Sequence, residues 1–377
     1  MNERIYLSPP NVHETDLAAV NEAMKSGWIA PVGPQIDLLE TRLADFFDDK
    51  RVLLLNSGTS ALHLSLILAN VQEGDTVLTS TLTFAACANV ILYQKAIPVF
   101  VDCEQDSWNV DPDLLEVYLR SSPDLPKAII VTHLYGVPAK IAEIKAIAES
   151  YDIPLIEDAA EAMGSLYFEK QVGQFGDFGV LSFNGNKILT TGGGGALICS
   201  KNHHQKALHL ATQANAGQYE YHHDEVGYNY RLSNVLAGLG LSQLDRLAHF
   251  IIRKKEIFQL YQEHLSDYFD FKAHIPSGCN PNFWLSVGLL KLESYQVLTL
   301  IEFMESQNIE LRRFWKPLHL SPAYINSKMI KGQVNDFATS FFERGICLPS
   351  GTGLTVPQQM KVIQKIRYFF EQHASES

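Results

Sequence analysis

The chain has 377 residues, 46% hydrophobic and 19% charged, with 24 Gly and 16 Pro. That is the balance of a globular protein with room for two or three cores at about 150 residues per domain, and it excludes fibrous, low-complexity and disordered classes. The 42 Asp and Glu outnumber the 30 Lys and Arg, giving a formal charge of −12 with no long basic run, so a phosphate backbone is not an expected partner.

The elements follow in chain order. Short apolar runs at 52–55, 76–79, 98–102, 128–132, 154–157, 179–183 and 195–199 predict strands, and the patterns at 59–71, 111–119 and 139–151 predict helices between them. This alternation predicts an α/β fold with a mostly parallel sheet, whose ligand site lies beyond the carboxyl ends of the strands. A charged helical pattern at 244–268 then leads into a Pro-, Ser-, Gly- and Asn-rich loop at 275–282, which places a large domain at 1–245 and a smaller α+β domain at 246–377. The five cysteines, Cys87, Cys103, Cys199, Cys279 and Cys347, are odd in number and widely spaced without a CxxC pair, so buried reduced thiols are expected. The opening residues lack the apolar stretch of a signal peptide, and no window approaches the ~20 apolar residues of a membrane span, so a cytoplasmic protein away from membranes is expected.

Three motifs are placed for chemistry. Asn56-Ser57-Gly58-Thr59-Ser60-Ala61 lies between a strand and a helix, where small residues, hydroxyls and a helix N-terminus suit a phosphate, or serve as an ordinary helix cap. Leu155-Ile156-Glu157-Asp158 ends an apolar strand in carboxylates, and Asp158 there can pair with a buried cationic nitrogen or cap a helix. Ser182-Phe183-Asn184-Gly185-Asn186-Lys187 precedes the run Gly192-Gly193-Gly194-Gly195, lodging Lys187 among residues that look buried, where a desolvated amine can form a Schiff base with an aldehyde. His203, His204, His209, His222 and His223 are numerous but lack a spacing such as HExxH, so no metal is expected.

Together the three motifs are the parts that hold pyridoxal phosphate. Ser26-Gly27-Trp28-Ile29-Ala30-Pro31-Val32-Gly33, Thr83-Phe84-Ala85, Thr132-His133-Leu134-Tyr135-Gly136 and Gly227-Tyr228-Asn229-Tyr230-Arg231-Leu232-Ser233 add to them. With these, the chain resembles the fold-type I pyridoxal-phosphate enzymes over nearly its whole length, and within them the DegT/DnrJ/EryC1/StrS sugar aminotransferases. Tyr6-Leu7-Ser8-Pro9-Pro10, the run from Leu311 to His319 and the run from Gly345 to Thr352 are further similar to transaminases that make UDP-N-acetylbacillosamine precursors.

The resemblance implies a mixed seven-stranded sheet between helices, a smaller C-terminal α+β domain and a homodimer with shared sites. It implies Lys187 as the Schiff-base lysine, Asp158 as partner of the pyridinium nitrogen and Phe84 as the ring stacked on the cofactor. Thr59, Ser60 and Ser182 match phosphate contacts, and Asn229 matches an asparagine that reaches the phosphate from the neighbouring subunit. Glu161 falls near the cofactor's 3′-oxygen, where many relatives carry Gln or His. His133, Trp315, Lys316 and His319 are expected at the substrate. Arg231 is expected to bind a donor carboxylate or substrate phosphate, or else to form a structural ion pair. The implied reaction is transamination of a UDP-linked 4-keto-6-deoxy sugar with L-glutamate. Its rivals are a GDP-linked 4-ketohexose as substrate, a sugar dehydratase that carries His at the lysine position, and a non-catalytic nucleotide-sugar sensor. Lys187 argues against the dehydratase, and Lys187 with Asp158 against the sensor.

Overall fold

The computed structural model describes residues 4–271, 275–291, 296–332 and 336–373. Its main sheet runs, edge to edge, Arg51–Leu55, Gly195–Cys199, Phe178–Ser182, Leu155–Asp158, Ala128–Thr132, Thr76–Ser80, Ile97–Val101 and Lys328–Ile330. The six strands from Phe178–Ser182 to Lys328–Ile330 are parallel, while Gly195–Cys199 is antiparallel to both its neighbours. Central strands such as Ala128–Thr132 (AIIVT) are β-branched and buried throughout, because helices cover both faces. Period-two alternation then divides each strand between two cores: Val52 and Leu54 belong to one cluster, Leu53 and Leu55 to the other.

Predicted helices form close to their expected places, at Gly58–Leu68, Pro112–Ser121 and Ile141–Ser150. The Asp111 side chain accepts from the N–H groups of Asp113 and Leu114, and Pro112 follows at the first helical position, which fixes the start of Pro112–Ser121.

Three departures from the expected architecture stand out. The sheet has eight strands rather than seven, because Lys328–Ile330 returns from the C-terminal third and pairs in parallel with Ile97–Val101. Helices Glu14–Ser26 and Pro34–Ala44 form in the N-terminal segment, which sequence pattern had left as a motif only. The continuous helix expected at 244–268 is instead Asn234–Asp245 and Leu247–Leu265, meeting at 60° around Arg246. Among the described residues no single helix is long and apolar enough to cross a membrane.

A second, antiparallel sheet is ordered Phe269–Asp270, Ser286–Leu290, Gly345–Leu348 and Arg312–Arg313. Its core includes Phe269, Leu290 and Ile346, together with Tyr261 and Phe369 from two helices. In the main sheet, Thr132 pairs with Asp158 and Asp158 with Val180, so the strand ends that carry Thr132, Asp158 and Ser182 converge.

Candidate active site

A cavity of about 1040 Å³ opens at these carboxyl ends. Lys187 lines it with a side chain only 12% exposed. The loop that presents Lys187 closes on itself: the Lys187 N–H donates to the Asn184 carbonyl and the Thr191 N–H to that of Phe183. The Lys187 Nζ lies 3.5 Å from Glu161 Oε1 and 4.1 Å from the centre of the Trp284 ring.

The Asn56–Ala61 motif begins the helix Gly58–Leu68, whose cap is Ser57, its Oγ accepting the Ser60 N–H at 3.0 Å. First-turn N–H groups have no intrahelical acceptor, and Gly58 and Thr59 of this turn line the cavity together with Ser182. The helix start lies so close to the neighbouring strand that a Cβ on Gly195 would stand 2.4 Å from the Gly58 nitrogen. Glycine at 195 is therefore a requirement of the cradle.

On the cavity floor, Asp158 takes the Ala160 N–H on Oδ1 at 3.1 Å and the Cys87 thiol on Oδ2 at 3.0 Å. Glu161 is fully buried; its Oε2 accepts the Tyr135 N–H at 2.7 Å, and its Oε1 has no hydrogen-bond partner. Burial pushes the Glu161 carboxyl up to about 7, against the opposing pull of the Lys187 charge and the Tyr135 N–H. Phe84 leaves its ring 60% exposed at the cavity wall, 5.8 Å from Trp315.

The family model of the DegT/DnrJ/EryC1/StrS aminotransferases matches residues 10–367. The chain belongs to this family. It is 41% identical over 379 residues to EpsN of Bacillus subtilis (strain 168), which carries the name of a pyridoxal phosphate-dependent aminotransferase, covering 98% of this chain and 97% of the relative. It is 34% identical to the GDP-perosamine synthase of Escherichia coli O157:H7, covering 96% and 97%. Among solved structures, Spr1654 of Streptococcus pneumoniae, described as a sugar aminotransferase and solved in a PLP-form, superposes with a TM-score of 0.89 at 27% identity, covering 98% of this chain and 99% of that one. The same protein is also solved in a PMP-form. The chain is thus a pyridoxal phosphate-dependent sugar aminotransferase.

Its residues fit that cofactor. An amine, a carboxylate held by two donors, a helix N-terminus flanked by hydroxyls and an orphaned buried carboxyl oxygen converge on one space, beside the exposed Phe84 ring. Of the residues expected there, Thr59, Phe84, Asp158, Glu161, Ser182, Lys187 and Trp315 line the cavity.

The others are engaged elsewhere. Ser60 is buried and donates from Oγ to Asn56 Oδ1, so it stabilises the cap. His133 accepts the Ala139 N–H on Nδ1, which leaves Nε2 to donate to Glu157 Oε2 at 3.0 Å in full burial. That is a structural pair rather than a substrate contact. Arg231 likewise forms the structural alternative, donating to Glu40 at 2.7 Å and to the Leu54 carbonyl at 2.9 Å. His319 bonds Thr81 through Nδ1, Lys316 is exposed outside the cavity, and Asn229 is exposed on the outside of its own chain's cavity. His209, Asp224 and Glu225 gather their ligand atoms within 4.8 Å, where Lys206 also pairs with Glu225.

Three residues escaped the sequence reading. Trp284 faces Lys187 and is fixed by its Nε1–H on the Asn186 carbonyl and by Lys254, whose buried Nζ donates to the Trp284 carbonyl at 2.7 Å. Burial lowers Lys254 to about 7. Cys87 was read only as a buried thiol. The odd spacing of cysteines signals nothing about Asp158, which is 71 positions away.

Proposed function

We propose that the enzyme transfers an amino group to C4 of a nucleotide-linked 4-keto-6-deoxy sugar, with L-glutamate as donor and a UDP-linked 2-acetamido-2,6-dideoxy-4-ketohexose as acceptor. The observation that carries this reading is the extent of the cavity. Lys187 and Asp158 lie in it together with the exposed Tyr6, Leu298 and Arg312, and its 1040 Å³ far exceeds the need of a small keto acid. The UDP-linked sugar is supported by Tyr6, Leu7, Ser8 and Pro9, which belong to the run shared with the bacillosamine-type transaminases and line this space. A GDP-linked 4-keto-6-deoxy sugar is the second reading, favoured by the similarity to GDP-perosamine synthase.

Pyridoxal phosphate, when bound, supplies an electrophilic carbon and an electron sink. The protein's part is to hold and to move protons. Lys187 would hold the cofactor through Nζ, and as a free amine it would carry a proton to and from the donor's α-carbon. Asp158 stabilises positive charge at the ring nitrogen, and Phe84 supports the ring face. Thr59, Ser182 and the helix start hold the phosphate. Glu161, between the floor and Lys187, serves the cofactor's ring oxygen.

We further infer a homodimer with shared sites. Asn229 is exposed and does not line its own chain's cavity, and Tyr219 and Tyr221, a few residues before it in sequence, are 94% and 89% exposed, apolar surface that a second copy would cover. The substrate is tested by incubating the purified enzyme with L-glutamate and each of the two 4-keto nucleotide sugars, then identifying products by NMR. A 4-amino product from the UDP sugar supports the first reading, one from the GDP sugar alone replaces it with the second, and none from either removes both.

A further inference from the structure

A carboxylate that must face one ring atom needs its orientation fixed, and the strand end alone does not fix it. Oδ1 of Asp158 is held from one side by the Ala160 N–H at 3.1 Å. From the other side comes Cys87, on the helix Ala86–Tyr93. We propose that Cys87 is a positioning residue for Asp158, its thiol donating to Oδ2 at 3.0 Å and aiming the carboxylate at the cofactor's ring nitrogen. This rests on the role given to Asp158 above.

The hydrogen bonds around the sulfur have one consistent direction. A thiol has a single hydrogen, and a carboxylate can only accept, so that hydrogen goes to Asp158. The sulfur is then free to accept, from Thr83 Oγ1 at 3.3 Å or from Thr132 Oγ1 at 3.9 Å, and the two hydroxyls share a hydrogen bond of 2.7 Å. Thr132, Thr83, Cys87 and Asp158 form one hydrogen-bonded network in which hydroxyl donors behind the sulfur polarise the thiol toward Asp158. All four are buried. Burial, and after it the Asp158 charge, push the Cys87 thiol up, which keeps its hydrogen in place. A residue needed only to fill space here could be an apolar one. The thiol instead gives its hydrogen to Asp158 Oδ2, while the other oxygen of that carboxylate is held by the Ala160 N–H.

The test uses holoenzymes of the wild type, Cys87→Ala, Cys87→Ser and Asp158→Asn, each loaded with pyridoxal phosphate labelled with nitrogen-15 in the ring. The nitrogen NMR shift reports protonation at the atom facing Asp158, and single-turnover kinetics with L-glutamate report the chemistry. The alanine variant should move the nitrogen signal toward its unprotonated position and slow the half-reaction about tenfold, the serine variant restoring most of both. The proposal is overturned if the alanine variant keeps the wild-type shift and rate, or if serine is as impaired as alanine. Should the alanine chain fail to load, Thr83→Val, which strips the hydroxyl behind the sulfur, must move the signal in the same direction; an unmoved signal overturns the proposal. If Asp158→Asn leaves the signal unmoved, the role of Asp158 fails and this inference with it. A signal moved by Asp158→Asn but not by the Cys87 variants removes the inference alone.

Discussion

Glu161 and Lys187 face each other across 3.5 Å, and burial raises the proton affinity of the carboxyl. Folding raises Glu161 from 4.5 to about 7, so between those values the folded chain holds a proton that the unfolded chain has released. Stability from this group is therefore full at low pH and falls as pH rises toward 7. In the cofactor-free protein, Glu161→Gln should flatten that decline, seen as a smaller difference between urea midpoints at pH 5 and pH 7. An unchanged difference would show that Glu161 titrates alike in both states. Lys187→Arg keeps the positive charge but replaces the amine with a guanidinium, so turnover should disappear while the fold persists. Borohydride reduction of the wild-type holoenzyme followed by peptide mapping should recover the cofactor on Lys187, and recovery on another lysine would refute its assignment. Lys187 and Asp158 were legible because each follows an apolar strand and precedes small residues. Arg231 was not decided by sequence, since its partner Glu40 stands 191 positions away and only folding joins them. Trp284 leaves no trace in spacing, and Lys254, whose charged run Arg253-Lys254-Lys255-Glu256 reads in sequence as a solvated face, is instead buried with its amine on the Trp284 carbonyl.

Elements show where periodicity succeeds as a guide. The strands at 52–55, 128–132 and 195–199 were legible because burial on both faces demands unbroken apolar runs. Lys328–Ile330 was not, because three residues at a sheet edge carry no such demand and its pairing partner Ile97–Val101 is remote in sequence. The bend near Arg246 was hidden as well; Arg246 pairs with Asp16 of the N-terminal helix at 2.5 Å, a tertiary contact that helical periodicity cannot register. The four glycines at 192–195 look alike in sequence, yet they differ in the structure. At Gly195 the clash is with backbone atoms, the Gly58 nitrogen at 2.4 Å and the Ser57 carbonyl carbon at 2.5 Å, which cannot rotate aside. Gly195→Ala should therefore push the helix start away from its strand, costing about 1–3 kcal/mol of stability and weakening cofactor affinity at least tenfold. Gly193→Ala, where an added Cβ meets nothing within 4 Å, is the matched control and should leave stability nearly unchanged. Thermal melts and cofactor titration of both variants decide it, and equal behaviour would mean that the cradle tolerates displacement.

At the scale of the whole molecule the open matter is whether one chain makes a complete site. The Asn229 backbone is anchored, its carbonyl accepting from Asn56 Nδ2 at 3.2 Å, while its side chain is exposed. Tyr228 and Tyr230 on either side stack on each other at 4.8 Å and contact His63, so backbone alternation turns Asn229 outward. An outward asparagine at a fixed position is suited to a neighbouring subunit rather than to its own cavity. Mixed dimers test this. If Asn229 reaches the partner's site, a Lys187→Ala chain combined with an Asn229→Ala chain, each inactive or strongly impaired alone, yields a heterodimer with both lesions in one site and none in the other. Purified heterodimers should then regain activity approaching half that of the wild type, because one of two sites is whole. If Asn229 served its own chain, each site of the heterodimer would carry one lesion and activity would stay at the level of the parents. Recovery also depends on subunits that hold together during assay, which sedimentation of the purified heterodimer at the assay concentration establishes. A stable heterodimer without recovery refutes the shared site, and a monomer with full activity refutes the dimer as well.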